Sequence, residues 1–311
     1  MSKYPIHRDF KKFENIKPKI CRSFLPLINK TMSLRLIIER DDEDINVLHK
    51  KIKVGYKESI SVLIYEPKKF MKNAPCLLYI HGGGFMLKAE PYHYNLARRY
   101  SKEGQCKVVF VDYRLAPKYK YPIPFNDCVD TLKWIVKNSD KLGIDKDKIA
   151  VGGDSAGGNI AAGLSLKARD DLKVNLSFIL LIYPVIDRRM NTKSMKRYTD
   201  TPLCNTELCK KMWQYYLGDI KRKDIKYTSL LEGNDFYNLP KTYIETAEFD
   251  CLHDEALIYG DELKKSGNYV EIKQTYQTIH AYDMELGSKV VENSVNKRIS
   301  FIRKGFHLGY N

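Results

Sequence analysis

No stretch of the 311-residue sequence approaches the ~20 consecutive apolar residues of a membrane span. The run Phe178-Ile179-Leu180-Leu181-Ile182-Tyr183 has the length of a buried central strand instead. Behind the N-terminal charges there is no uninterrupted apolar core, so a secretory signal is not expected. The seven cysteines are odd in number, scattered and without a C-x-x-C pair. That usage argues against a disulfide framework and for a reducing compartment, the cytoplasm. Repeats, low-complexity tracts and interdomain linkers are missing too. Residues 1–311 are therefore read as one domain, long enough for a substantial core.

Acidic residues are scarce: 38 Asp and Glu face 53 Lys and Arg, a formal charge of +15. Such a balance invites a nucleic-acid reading. Yet the lysines run along the whole chain and often neighbour acids, as in Asp145-Lys146-Asp147-Lys148, and no nucleic-acid module occurs. The charge reads as compositional bias, with steering of anionic substrates as the second option. Nucleic acid is not expected as a partner.

What the sequence does contain is a glycine-flanked serine, Gly153-Asp154-Ser155-Ala156-Gly157. It stands between the strand-like Lys148-Ile149-Ala150-Val151 and an Ala-rich run that opens a helix at Gly158. A serine on so sharp a strand-to-helix turn has its Oγ pushed clear of the sheet, and the residues two before and two after must be small. Ser155 is the candidate nucleophile. Upstream, the strand-like Ala74–Ile80 segment runs into His81-Gly82-Gly83-Gly84-Phe85. Three glycines leave the backbone free to aim N–H groups at a ligand atom. A serine attacking an acyl carbon creates an oxyanion, and one preorganised donor to it is worth roughly 2.7–4 kcal/mol. The predicted donors are the N–H groups of Gly83, Gly84 and Ala156, with Gly82 shaping the loop and His81 hydrogen-bonding within it.

The serine needs a base, and the base needs a carboxylate to fix its tautomer. Of seven histidines, His280 follows the strand-like Tyr269–Gln274 run and lies in a loop. Asp250 follows a second such strand, Thr242–Ala247. Glu248 and Asp254 are close by; Asp254 and Glu255 read as the first turn of the next helix, where acids suit the macrodipole. The chain order Ser155, Asp250, His280 is that of α/β-hydrolases, not of chymotrypsin or subtilisin.

Apolar strand-like segments at 61–65, 77–80, 108–111, 149–151, 178–181, 243–246 and 270–272 alternate with helical patterns. Helices are predicted over 125–138, 157–169, 254–266 and 288–304. Alternation of this kind predicts a mostly parallel sheet covered by helices on both faces. Residues 1–45 read as two short amphipathic helices, with Phe10, Phe13 and Ile16 on the first and Phe24, Leu25, Leu27 and Ile28 on the second. A further helix, Thr206–Leu217, has Asn205 as N-cap and Gly218 at its end. Its Leu208, Met212, Tyr215 and Tyr216 share one face, with Trp213 at the edge. Cys204 and Cys209 are read as packing on a helix face.

Taken together, these motifs resemble the hormone-sensitive-lipase-like family of α/β-hydrolase esterases. The likeness runs through His81-Gly82-Gly83-Gly84, Asp112-Tyr113-Arg114-Leu115-Ala116-Pro117 and Gly153-Asp154-Ser155-Ala156-Gly157-Gly158-Asn159. It continues in Leu181-Ile182-Tyr183-Pro184, Leu239-Pro240, Asp250 and His280, and covers roughly residues 60–305. The family usually writes Asp-Pro-Leu and His-Gly-Phe where this chain has Asp250-Cys251-Leu252 and His280-Ala281-Tyr282. The resemblance implies an α/β-hydrolase fold with a helical cap built from about 1–45 and 186–238. It also implies a serine carboxylesterase acting on a small ester through an acyl-enzyme, using Ser155, Asp250 and His280 without metal or cofactor. Trp213 and Tyr216 are expected to narrow the entrance and favour short acyl groups, acetyl to hexanoyl. An amidase or formamidase of the same fold is the second reading. A non-catalytic binding member is the third, disfavoured because His280 is present. A homodimer is compatible with all three.

Overall fold

The computed structural model describes residues 3–18, 20–69, 72–218 and 225–308. Eight strands form one sheet: β1 (Ile45–Val54), β2 (Glu58–Pro67), β3 (Ala74–Ile80), β4 (Lys107–Asp112), β5 (Ile144–Asp154), β6 (Phe178–Ile182), β7 (Lys241–Phe249) and β8 (Val270–Ile279). Their order is β1-β2-β4-β3-β5-β6-β7-β8. Only the β1–β2 and β2–β4 pairs are antiparallel. The strands that read as unbroken apolar runs, β3 and β6, are buried along their whole length in the parallel part. That is what helices on both faces require.

Nine α-helices are described: α1 (Leu25–Ile38), α2 (Pro91–Gly104), α3 (Ile123–Lys137), α4 (Ser139–Leu142), α5 (Ala156–Lys167), α6 (Lys193–Arg197), α7 (Thr206–Leu217), α8 (His253–Lys265) and α9 (Lys289–Gly305). α2 packs on α9, and α3 packs on α5. From β3 the chain steps to β4 on one side, whereas from β5 it proceeds to β6, β7 and β8 on the other. The order therefore reverses between β3 and β5, and in open α/β sheets the crevice beyond the carboxyl ends at such a point receives ligands.

Two segments differ from expectation. β1 is absent from the sequence reading because Leu48, His49, Lys50 and Lys51 in its middle are exposed, and only Ile45, Val47, Ile52 and Val54 face inward. At the N-terminus, Phe10 and Phe13 are buried in a 3-10 helix, Arg8–Phe13, and Leu25 is buried in α1. The rest of the expected stripe, Ile16, Phe24, Leu27 and Ile28, is exposed. α1 is held by polar bonds instead: Asn29 donates to the Met86 carbonyl (2.7 Å) and accepts from the Lys88 N–H (3.0 Å). The N-terminal segment also meets the β6–β7 insertion, where the Leu203 N–H donates to the Ile16 carbonyl at 2.9 Å. Of the insertion, residues 219–224 lie outside the described residues.

Candidate active site

The strand ends deliver the chemistry. Ser155 follows β5, Asp250 follows β7, His280 follows β8 and the glycine loop follows β3. Ser155 holds φ 53° and ψ −119°, a strained turn that costs on the order of 1–3 kcal/mol and that the surroundings must impose. The two flanking glycines are required by contact. A Cβ on Gly153 would lie 2.5 Å from the Ile80 carbonyl oxygen, and one on Gly157 would run into the same oxygen. The Ser155 N–H is anchored to the Ile182 carbonyl at 2.8 Å.

The three sequence-predicted residues come together. His280 Nε2 lies 2.9 Å from Ser155 Oγ, and His280 Nδ1 lies 2.7 Å from Asp250 Oδ2. The other Asp250 oxygen accepts the Leu252 N–H at 3.0 Å, which fixes the carboxylate's orientation. Facing a carboxylate, Nδ1 carries the proton, leaving Nε2 free to accept one from Ser155. Burial is the largest single influence and opposes charge on His280, but Asp250, Cys204 and Asp154 together push the imidazole up to about 9. Behind it the Tyr183 ring meets the imidazole edge-on at 4.8 Å, and the Tyr183 hydroxyl donates to Asp283 at 2.7 Å. Asp283 in turn joins a fully buried network in which Arg298 is paired with both Asp283 and Glu245. The competing acids are engaged elsewhere: Glu248 accepts from the Gln277 N–H and Asp254 from the Ser194 N–H.

Gly83 and Gly84 hold φ of 103° and 60°, a region that favours glycine, and they border the same cavity as Ser155. Ala156 is the first residue of α5, so its N–H has no partner within the helix. His81 donates Nδ1–H to the Gly82 carbonyl (2.7 Å) and stacks on Tyr113 at 4.5 Å. Burial, then the neighbouring His93, lowers it to about 3, so it is neutral.

Sequence reasoning missed the support beneath this loop. His93 accepts the Glu90 N–H on Nδ1, so its Nε2–H points at Asp154 Oδ2, 3.1 Å away. Asp154 Oδ1 accepts from the Gly82 N–H (3.1 Å) and from Tyr79 (3.0 Å). Burial disfavours the Asp154 charge, yet His93 and these donors hold it below the ordinary carboxylate range. The available signal was Pro91, which marks a helix start and places His93 in its first turn.

A cavity of about 240 Å³ opens onto Ser155 and His280. Its α7 wall is Leu208, Cys209 and Met212. Trp213 and Tyr216, expected at the entrance, are not on it. Both are buried behind Phe85, with Tyr216 stacked on that ring at 3.7 Å and Trp213 tilted against it at 5.9 Å. The reason is position along the helix: Asn205 caps α7 as predicted, its side chain accepting from the Leu208 N–H (3.0 Å), and Tyr216 lies one turn beyond Met212 on the same face, where Phe85 packs on it in place of the cavity.

Among the described residues, no helix is long and apolar enough to cross a membrane. A family model described as the alpha/beta hydrolase fold matches residues 77–284. Carboxylesterase NlhH of Mycobacterium tuberculosis is 34% identical over 260 residues, covering 82% of each chain. An ethyl acetate hydrolase of Pseudomonas putida is 32% identical over 219 residues, covering 70% of this chain and 68% of that protein. The solved structure of a bacterial heroin esterase superimposes with a TM-score of 0.88 at 30% identity, covering 97% of this chain and 98% of that one. With motifs, topology and relatives in agreement, the chain belongs to the hormone-sensitive-lipase-like family of α/β-hydrolase carboxylesterases.

Proposed function

We propose that this protein is a serine carboxylesterase that hydrolyses small esters with short acyl groups. The observation that carries the reading is the continuous path from Asp250 through His280 to Ser155, at 2.7 and 2.9 Å, ending in a cavity bordered by Gly83 and Gly84.

In this reading Ser155 Oγ attacks the ester carbonyl while His280 Nε2 takes its proton. Asp250 holds the imidazole in the accepting tautomer and balances the imidazolium that forms. The carbonyl oxygen gains negative charge and is met by the N–H groups of Gly83, Gly84 and Ala156. His280 then protonates the leaving alcohol. Water, deprotonated by the same imidazole, attacks the acyl-enzyme and releases the acid. His81, Gly82, His93 and Asp154 act one layer back, holding the loop in shape.

The substrate class follows from volume. A cavity of about 240 Å³ falls below the ~300–1,000 Å³ of pockets that take drug-sized ligands. One relative is named for ethyl acetate, which agrees in scale. The covering structure is read as a cap: Pro18 and Ile20 of the N-terminal segment border the cavity, as do Leu203 and Leu208 of the insertion. Reduced cysteines fit the cytoplasm as the working compartment.

Rates on p-nitrophenyl esters of increasing acyl length, compared with matched anilides, test the reading. Acetyl to hexanoyl esters should lead and anilides should trail. A fluorophosphonate probe should label Ser155 alone, and Ser155→Ala should abolish both labelling and turnover. Labelling of another serine, or faster anilide cleavage, overturns it.

A further inference from the structure

Of the six buried thiols that the reaction above leaves unused, three converge on one point. Cys204 precedes α7, Cys209 lies in its first turn, and Cys251 directly follows Asp250, in the place where the family writes proline. The fold brings their Sγ atoms to 3.6 Å (Cys204–Cys209), 3.6 Å (Cys209–Cys251) and 4.0 Å (Cys204–Cys251). A triangle with these sides has a circumscribed radius of about 2.2 Å, just inside a ~2.3 Å metal–sulfur bond. All three sulfurs therefore reach a single atom seated less than about 1 Å from their plane without moving the backbone. Cys204 and Cys209 also border the cavity that contains Ser155, so the route a substrate takes leads to them.

We propose that Cys204, Cys209 and Cys251 form a binding site for a thiophilic three-coordinate centre, and that trivalent arsenic, entering as arsenous acid, fits it best. Softness selects the class, since sulfur ligands prefer soft centres. Charge selects within it. Three thiolates on a monovalent or divalent ion leave net negative charge in a buried site, which is costly. On a trivalent centre they leave none. The exchange balances without redox chemistry: three S–H and three As–O bonds break, three As–S bonds form, and three waters leave.

The site adjoins the triad. Cys204, Asp250 and His280 present ligand atoms all within 4.8 Å of one another, a mixed set that would suit zinc instead. An arsenic atom on the three sulfurs narrows the cavity beside Asp250, so occupancy blocks hydrolysis.

The test uses the full chain carrying Cys21→Ser, which removes the exposed thiol. Titration with sodium arsenite, read by native mass spectrometry, should give one adduct heavier by one arsenic less three hydrogens. Losing one of three linked attachments should weaken binding by roughly 100-fold or more in Cys209→Ser and in Cys204→Ser. Cys204, at the cavity wall, serves if Cys209→Ser does not fold. Ser155→Ala should bind as the parent does, which separates this site from the esterase reading. Hydrolysis should fall at least roughly tenfold at saturation and return with a dithiol chelator. An adduct retaining a hydroxyl, unchanged affinity in either cysteine variant, or tighter binding of zinc than of arsenite overturns the proposal.

Discussion

Replacing Asp250 by Asn puts the proton path under the sharpest strain, because the structure leaves the amide no good orientation. The carboxylate accepts twice: from His280 Nδ1–H at 2.7 Å and from the Leu252 N–H at 3.0 Å. An amide has one acceptor. If its oxygen keeps Leu252, its NH2 faces Nδ1 and forces the proton onto Nε2, where it blocks transfer from Ser155. If it flips, two N–H groups confront each other in a fully buried place. In Ser-His-Asp sites generally, this substitution lowers kcat by ~10⁴ through the wrong tautomer. That corresponds to about 5 kcal/mol of barrier.

Steady-state hydrolysis of p-nitrophenyl butyrate by the Asn variant, followed across pH, provides the assay. The parent rate should climb with pH as His280 becomes neutral, between its ordinary ~6.5 and the raised value of about 9. The Asn variant, with no carboxylate lifting the imidazole, should show its residual limb shifted to lower pH. Glu248→Gln and Asp254→Asn, whose parent side chains serve backbone N–H groups elsewhere, should stay within about threefold of the parent. An Asn variant that keeps a tenth of the activity, or a larger loss in Glu248→Gln, refutes the reasoning.

Three further outcomes follow from packing and charge. Gly157→Ala drives a Cβ into the Ile80 carbonyl, so activity should vanish and the protein should be lost from the soluble fraction or unfold at markedly lower urea. Met212→Ala should extend the acyl optimum toward longer chains, whereas Trp213→Ala should cost about 3–5 kcal/mol of stability in urea titration and leave the optimum in place. Arg298→Met strands Glu245 and Asp283 without a counter-charge in the core, and should cost about 3–5 kcal/mol, read by the urea midpoint.

The parts of the site legible in the sequence are those fixed within a few residues. The Ser155 elbow and the Gly82–Gly84 loop are demands of local backbone geometry, and local demands leave local motifs. Asp250 was harder to separate from Glu248 and Asp254, since three acids in seven residues differ only in what the fold gives them to bind. The cavity wall was not legible. Leu208, Met212 and Tyr216 share one face of α7, but how far along the helix that face borders the cavity depends on Phe85, more than 120 residues away, which covers Tyr216. β1 escaped for a related reason, since its exposed lysines are neutral to strand formation once β2 supplies the partner. The meeting of Cys251 with Cys204 and Cys209 has no sequence signal at all.

His280 is carried by β8, one of the two edge strands of the sheet, which pairs with a neighbouring strand on one side only and has most of its residues partly open to solvent. Amide exchange and local opening begin at such margins, well below the free energy of global unfolding. His280 is thus mounted on a strand at the sheet's margin, while Ser155 sits three strands inward, after β5. The N-terminal segment offsets this: the His7 N–H grips the Gln277 carbonyl at 2.8 Å, and Phe10 packs against Tyr282 just past His280. Those few residues act as a latch on the sheet's rim, so deuterium uptake across 270–282 becomes the sensitive gauge of whether the enzyme is armed.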